Sequence, residues 1–147
     1  MKSSINLVVI DSNFVLLPFQ FKIDYFDEIR LILEGSLKFI IFKQIIDELK
    51  AKKNRESKSV NFSILLESGL RYIDSKTSNY NIEFTKDIKK ENESTDDFLL
   101  RKISDLKTLG NKIFLATNDS ALRKKAKNLH INTIFLRQKK YLAIERT

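Results

Sequence analysis

Four carboxylates occupy positions from which a folded α/β chain could bring them together: Asp11, Glu48, Asp96 and Asp119. Asp11 follows directly on the apolar run Leu7-Val8-Val9-Ile10, and Asp119 comes just after Ile113-Phe114-Leu115-Ala116. Both runs read as strands, the first as one buried on two faces, since a short continuous apolar stretch rich in branched residues suits that setting. Glu48 lies one to two turns into the helix expected after Phe39-Ile40-Ile41-Phe42, and Asp96 in the opening turn of a helix starting near Ser94. Open parallel sheets bind ligands outside the carboxyl ends of their strands, where two of these residues fall and the other two can converge. Two unit charges about 5 Å apart repel by roughly 3 kcal/mol at an effective dielectric near 20. Such a group either raises its pKa values or gathers a cation, and all-oxygen ligands favour Mg²⁺ or Mn²⁺. A divalent ion beside a basic surface is what phosphodiester hydrolysis requires.

Each residue also has a plainer reading. Asp11, Asp96 and Asp119 stand where an acidic cap is common and stabilises a helix start by about 1 kcal/mol. Glu48 is spaced to pair with Lys52 at i+4. Singly, these readings suffice for Glu48 and Asp96; the order of all four argues for a site. Asp47 and Asp97 are direct neighbours, and adjacent helical residues point about 100° apart, so one of each pair faces the crevice. Ile45 and Leu49 favour Glu48; Leu99 and Leu100 favour Asp96.

The charge distribution points to a polyanionic partner. The 147-residue chain carries a formal +8, and residues 101–147 hold 12 basic residues against 3 acidic ones. Basic clusters gain by releasing counterions from phosphates. Arg123, Lys124, Lys125, Lys127, Arg137, Lys139 and Lys140 are therefore the candidate contacts to a nucleic-acid backbone, and charge alone does not tell RNA from DNA. A second basic run covers Lys50-Ala51-Lys52-Lys53-Asn54-Arg55. Cysteine is absent, which excludes thiol chemistry, disulfides and zinc–thiolate sites. His130 is the only histidine, which argues against a histidine-centred triad or a multi-histidine metal site. No apolar run approaches the roughly 20 residues that span a bilayer, and the opening MKSSINLVVID does not read as a leader. A cytoplasmic protein with no membrane role is expected.

At 42% hydrophobic and 31% charged residues the composition is globular, and the length suits one domain over residues 1–147. Residues 25–33 are expected to form a helix with Phe26, Ile29, Ile32 and Leu33 inward, capped by Gly35. Residues 44–53 form another, with Ile45, Ile46 and Leu49 inward, and residues 60–72 a third. There Val60, Ile64, Leu65 and Gly69 or Leu70 are the apolar positions. Residues 82–84 read as a short strand, 87–94 as a polar loop, 121–128 as a helix and 131–136 as a core strand. Residues 141–144 add an edge strand. Strands alternating with helices imply a parallel sheet covered on both faces.

The four acidic segments resemble those of the PIN-domain ribonucleases. Val8-Val9-Ile10-Asp11-Ser12-Asn13-Phe14 is similar to the opening D-T-N-x motif of that family, with serine for threonine. Ile45-Ile46-Asp47-Glu48-Leu49 resembles its second acidic position. Thr95-Asp96-Asp97-Phe98-Leu99 resembles its A-D-D-x-I segment, with threonine where alanine is usual. Ala116-Thr117-Asn118-Asp119 resembles its A-T-N-D segment. Phe19-Gln20-Phe21 and Leu136-Arg137-Gln138-Lys139-Lys140-Tyr141-Leu142 are similar to the archaeal and eukaryotic branch linked to small-subunit ribosomal RNA processing.

The resemblance implies a three-layer α/β/α sandwich with a central parallel sheet and an Mg²⁺- or Mn²⁺-dependent endoribonuclease. It implies catalytic, metal-binding carboxylates at Asp11, Glu48, Asp96 and Asp119, with Asn13 and Thr117 as supporting polar neighbours. RNA, including pre-rRNA, is the implied partner, and a homodimer is expected from the family's habit. Two alternatives stand beside it. One is the toxin ribonuclease of a toxin–antitoxin pair, with an antitoxin as partner; the other is a non-catalytic RNA-binding protein that keeps the fold.

Overall fold

The computed structural model describes residues 5–55 and 60–147; residues 1–4, part of the opening read against a leader, lie outside them. Strand β1 (Ile5–Ile10) runs through the middle of the molecule with five consecutive buried residues, as expected of a strand covered on both sides. Two one-turn helices follow, α1 (Ser12–Val15) and α2 (Leu17–Gln20), then α3 (Tyr25–Ile32). The sequence reads as turn and cap chemistry at Asp11-Ser12-Asn13, without a helix assigned there. The two short helices arise because Asp11 caps the first, and Pro18 presets the backbone for the first turn of the second. Gly35, at φ 93°, takes the left-handed backbone that lets the chain leave α3 for β2 (Ser36–Phe42).

Helix α4 (Lys43–Arg55) follows β2 directly and buries Ile45, Ile46 and Leu49, the inward face expected from the sequence. In α5 (Val60–Lys76) the pattern is shifted. Val60 and Ile64 are exposed, and the buried positions are Leu66, Gly69 and Ile73. Phe62 packs partly against the core and continues that stripe at helical spacing. Gly69 is required where α5 meets α1: a Cβ there would collide with the backbone carbonyl of Val15. Ile32, expected inward on α3, is likewise exposed because the helix ends there and Leu33 takes the buried place.

The second half adds β3 (Ile82–Thr85), α6 (Thr95–Thr108), β4 (Lys112–Ala116), α7 (Ser120–Asn128), β5 (Asn132–Arg137) and β6 (Tyr141–Glu145). The six strands form one sheet in the order β3-β2-β1-β4-β5-β6, parallel throughout except for β6, which pairs antiparallel with β5. Helix α4 packs on β2, α6 on β4 and α7 on β5, while α5 packs on α1 and α2. The layers are those of an α/β/α sandwich. Gln138 and Lys139, both at positive φ, form the tight reversal between β5 and β6. The backbone N–H of Lys140 donates to the carbonyl of Arg137 at 3.1 Å and closes that reversal.

The order of the strands decides where a ligand can bind. After β1 the chain goes outward on one side, to β2 and β3; after β3 it crosses to the other side of β1 and continues through β4 and β5. Connections from β1 and β4 therefore diverge and leave a crevice at their carboxyl ends. Ile10 pairs with Ala116 across these two strands, which puts Asp11 beside Thr117.

Candidate active site

Asp11 leaves β1 at the bottom of this crevice, only 4% exposed. Its backbone N–H donates to the carbonyl of Ala116 at 3.0 Å, extending the strand pairing into the loop. Its side chain receives three donors: the Ser12 backbone N–H at 2.8 Å, the Asn13 amide at 3.0 Å and the Thr117 hydroxyl at 2.7 Å. The roles of Asn13 and Thr117 are fixed by simple counting. The Asn13 Oδ1 accepts from the Asn118 N–H at 2.9 Å, so its NH₂ must face Asp11 and Thr117. Thr117 is fully buried and gives its one proton to Asp11, while its oxygen accepts from the Asp119 N–H at 3.1 Å. Asn118 in turn accepts from the Leu136 N–H at 2.7 Å, tying the crevice to β5. Asn13 and Thr117 thus hold the Asp11 carboxylate in one orientation.

Asp119 caps α7, with its Oδ1 accepting from the N–H groups of Ala121 and Leu122 at 2.9 and 3.1 Å. Its cap reading and its site reading are compatible, because only one oxygen is engaged among the described residues. Asp96 stands in the first turn of α6, where Ser94 provides the cap by accepting from the Asp97 N–H at 3.1 Å. Asp96 is relieved of capping and makes no hydrogen bond or ion pair among the described residues.

The electrostatics join three of the four carboxylates. Burial pushes Asp11 above the ordinary carboxylate pKa, against the hydrogen bonds from Thr117 and Ser12, and the charges of Asp96 and Asp119 add to the rise. Burial also raises Asp96, helped by Asp119, while Lys125 opposes it. Glu48 behaves differently. Burial works to raise it, but hydrogen bonds from Lys89 and Thr95 overcome that effect and hold it below its ordinary value. The Lys89 ammonium lies 2.6 Å from Glu48, the Thr95 hydroxyl 2.6 Å, and Gln44 reaches it at 3.4 Å. Threonine in place of the usual alanine is thus a hydrogen-bond donor to Glu48.

Asp47 and Asp97 are exposed, and Asp47 lines a separate depression with Lys43, Lys50 and Phe84. Asp11, Asp96 and Asp119 act on one another across the crevice; Glu48 stands at its side, already supplied with a cation. Among the described residues no three acidic or histidine side chains form a ready-made metal cage. The donor set nevertheless fits a hard divalent ion: all ligands are oxygens, and the buried Asp11 charge has two like-charged neighbours that positive charge would relieve.

Sequence reasoning missed Lys89 and the groove beside Glu48. Residues 87–94 read as a solvated loop, yet the loop is pinned on both sides. Asp87 pairs with Lys102 at 3.1 Å, and Glu93 takes a two-pronged contact from Arg101 at 2.8 and 2.9 Å. Lys52, spaced to pair with Glu48, instead lies over the Phe62 ring at 4.8 Å. With Arg55 these residues line a groove of about 440 Å³ that opens beside Ser12, Asn13 and Glu48.

The basic third is split. Lys124, Lys125 and Lys127 are exposed on α7, Lys125 near Asp96 and Lys127 in the last turn, roughly 12 Å along the helix from Asp119. Arg123 is half-buried over the Phe135 ring at 3.6 Å, a packed position. Arg137, Lys139 and Lys140 stand exposed around the β5–β6 reversal, at the carboxyl end of β5 and so on the side of the crevice.

A parallel α/β sheet with an acidic crevice at its crossover point defines a class of small acidic-site α/β proteins, and the sequence assigns the family within it. The pattern described as "PIN like domain" matches residues 8–139, and the chain belongs to that family. It is 28% identical over 143 residues to Ribonuclease VapC4 of Methanocaldococcus jannaschii, covering 93% of this chain and 95% of that one. Among solved structures it resembles the PIN domain endonuclease Utp24, with a TM-score of 0.67 at 22% identity over 96% of this chain and 92% of that one. It also resembles a domain of a functionally unknown protein from Methanocaldococcus jannaschii, with a TM-score of 0.63 at 17% identity over 96% and 95% of the chains.

Proposed function

We propose that this protein is an endoribonuclease that hydrolyses RNA phosphodiester bonds with the help of Mg²⁺ or Mn²⁺. The observation that carries the reading is the buried Asp11, raised by burial and by Asp96 and Asp119, at the carboxyl end of the two central strands. Asp11, Asp96 and Asp119 would hold the ion, with Glu48 as the fourth carboxylate. When bound, the ion supplies Lewis acidity that neutralises charge on the attacked phosphate. The chain's own groups do the positioning. Ser12, Asn13 and Thr117 fix the Asp11 carboxylate, and the crevice excludes bulk water from it. Lys125 and the hairpin cations Arg137, Lys139 and Lys140 hold the RNA backbone on the crevice side.

Two specialisations fit this reading. Similarity along nearly the whole chain to Ribonuclease VapC4 supports a toxin restrained by an antitoxin. The sequence motifs at residues 19–21 and 136–142 support an RNA-processing role with pre-rRNA as substrate, on a fold shared with the PIN domain endonuclease Utp24. The deciding experiment is cleavage of a labelled structured RNA in Mn²⁺, Mg²⁺ or EDTA, comparing the natural protein with Asp11→Asn. Cuts that need the metal and vanish in Asp11→Asn are expected. Cuts that survive the substitution would overturn the site, and salt-sensitive binding without cuts would return the chain to a non-catalytic RNA binder.

A further inference from the structure

Among the described residues, only one of the four carboxylates has an ammonium in contact with it. The Lys89 Nζ lies 2.6 Å from Oε1 of Glu48, and the Thr95 hydroxyl lies 2.6 Å from Oε2. Each oxygen thus has its own donor, and the Gln44 amide adds a long contact to Oε1 at 3.4 Å. Among the same residues, Asp11 receives only uncharged donors, and Asp119 accepts only from backbone N–H groups at the start of α7.

Lys89 is not a loose surface side chain. An ion pair between two mobile side chains contributes little, because ordering them costs entropy. Here the backbone around the lysine is held independently of the pair. Asp87, two positions before it, pairs with Lys102 of α6. The Lys90 N–H donates to Glu93 at 2.9 Å, and Arg101, also on α6, holds Glu93. The Lys89 N–H itself reaches the Gln44 Oε1 at 3.4 Å. Gln44 and Glu48 are one turn apart on α4, so backbone and side chain of the lysine meet the same face of that helix. The two paired side chains are 29% and 34% exposed, so solvent screens their attraction only in part.

Sites that cleave phosphodiesters often hold two divalent ions about 3.5–4 Å apart, and a fourth carboxylate is what a second ion would need. At Glu48 such an ion would meet a positive centre already seated on the same oxygens, and like charges repel. We propose that Lys89 stands in for a second metal ion at Glu48. The protein then holds one divalent ion, on Asp11, Asp96 and Asp119, and Glu48 is the counter-ion of a built-in ammonium. This role rests on the metal reading above and gives its fourth carboxylate a part. Lys89 is a positioning residue, acting on the ion through Glu48, and the positive charge at that corner does not vary with the supply of metal.

The test counts bound Mn²⁺ by electron paramagnetic resonance, without RNA, so that it is independent of cleavage. The natural protein is expected to bind one ion, and Asp11→Asn to lose it. Lys89→Met releases Glu48, so a second ion binds or the first is held about tenfold more tightly. Lys89→Arg keeps a cation on Glu48 and should match the natural protein. Lys89→Met combined with Glu48→Gln removes both charges and should bind one ion within about twofold of the natural affinity. That combination separates a ligand from a field, because the loss of a nearby positive charge alone would strengthen binding with or without Glu48. A circular dichroism melt shows that each variant folds, and the count on the natural protein needs no variant. Two ions on the natural protein would overturn the proposal. So would a combined variant as weak as Asp11→Asn, one that keeps the gain of Lys89→Met, or no gain in Lys89→Met. No Mn²⁺ on any of these proteins would remove the metal reading and the role of Lys89 together. One ion bound in the expected pattern, with RNA never cut, would leave Lys89 in its role and remove the nuclease reading.

Discussion

The network at Asp11 shows how a buried charge is tolerated. Three donors from Ser12, Asn13 and Thr117 offset part of its desolvation, yet its pKa still lies above the ordinary carboxylate value of 3.8. Asp96 is raised from the same reference value. The sign follows from linkage: an acid that binds its proton more tightly when folded stabilises the fold fully below its unfolded pKa, and that stability is lost as pH rises through the folded value. At neutral pH and without a divalent ion, both charges therefore weigh against the fold. Mn²⁺ at about 100 times its dissociation constant should return about 2.7 kcal/mol, a rise in Tm of roughly 5–10 °C for a chain of this size. The rise should shrink as pH falls toward 4, where protons compete for the same oxygens, and should disappear in Asp11→Ala. Differential scanning fluorimetry at several pH values checks this; a Tm indifferent to Mn²⁺ at pH 7 would count against the metal.

The helices and strands were legible from the sequence wherever a single contact face sets the pattern. β1, β2 and β4 are covered on both sides, so continuous apolar runs revealed them, and the residues just beyond followed. Helix α5 misled because it packs on α1 and α2, two one-turn helices that carry no periodicity of their own. With the partner unseen, Val60 and Ile64 looked inward, although the true stripe runs through Phe62, Leu66, Gly69 and Ile73. Lys89 was invisible for a related reason: its partner Glu48 is 41 positions away, and nothing local in a charged loop announces a distant contact. Apolar neighbours favour Glu48 and Asp96 over Asp47 and Asp97, and both are less exposed than the residues beside them. The tight approach of α5 to α1 gives a direct test. Gly69→Ala sets a methyl group against the Val15 carbonyl and should lower stability by about 1–3 kcal/mol, read as a lower urea midpoint with unchanged m value. Because α1 begins at Ser12, this substitution should also loosen the crevice, whereas Ile64→Ala on the exposed side of the same helix should do neither.

Across the molecule the positive charge is not spread evenly, and its two parts should act differently on RNA. The hairpin cations sit at the carboxyl end of β5, while Lys127 stands near the far end of α7. Replacing Arg137, Lys139 and Lys140 together by alanine should reduce the slope of log affinity against log salt by about 2 for single-stranded RNA, near 0.7 for each phosphate no longer neutralised. Lys127→Ala should leave the slope almost unchanged. Filter binding over a salt series measures both, and equal slopes for the triple variant and the natural protein would remove the hairpin from the RNA path. The sheet order carries a last consequence, for how the protein is made. The Thr117 hydroxyl that holds Asp11 lies 106 positions along the chain from it, and β1 finds β4 only after the crossover through β3 and α6. Domains complete themselves as their last interacting segments become available during synthesis, and pairings so distant in sequence form slowly. Until Thr117 and Asp119 have left the ribosome, Asp11 lacks its hydroxyl donor, α7 lacks its cap, and the acidic crevice does not exist. The nascent chain therefore passes along the translation machinery, surrounded by ribosomal and messenger RNA, before its acidic crevice has been assembled.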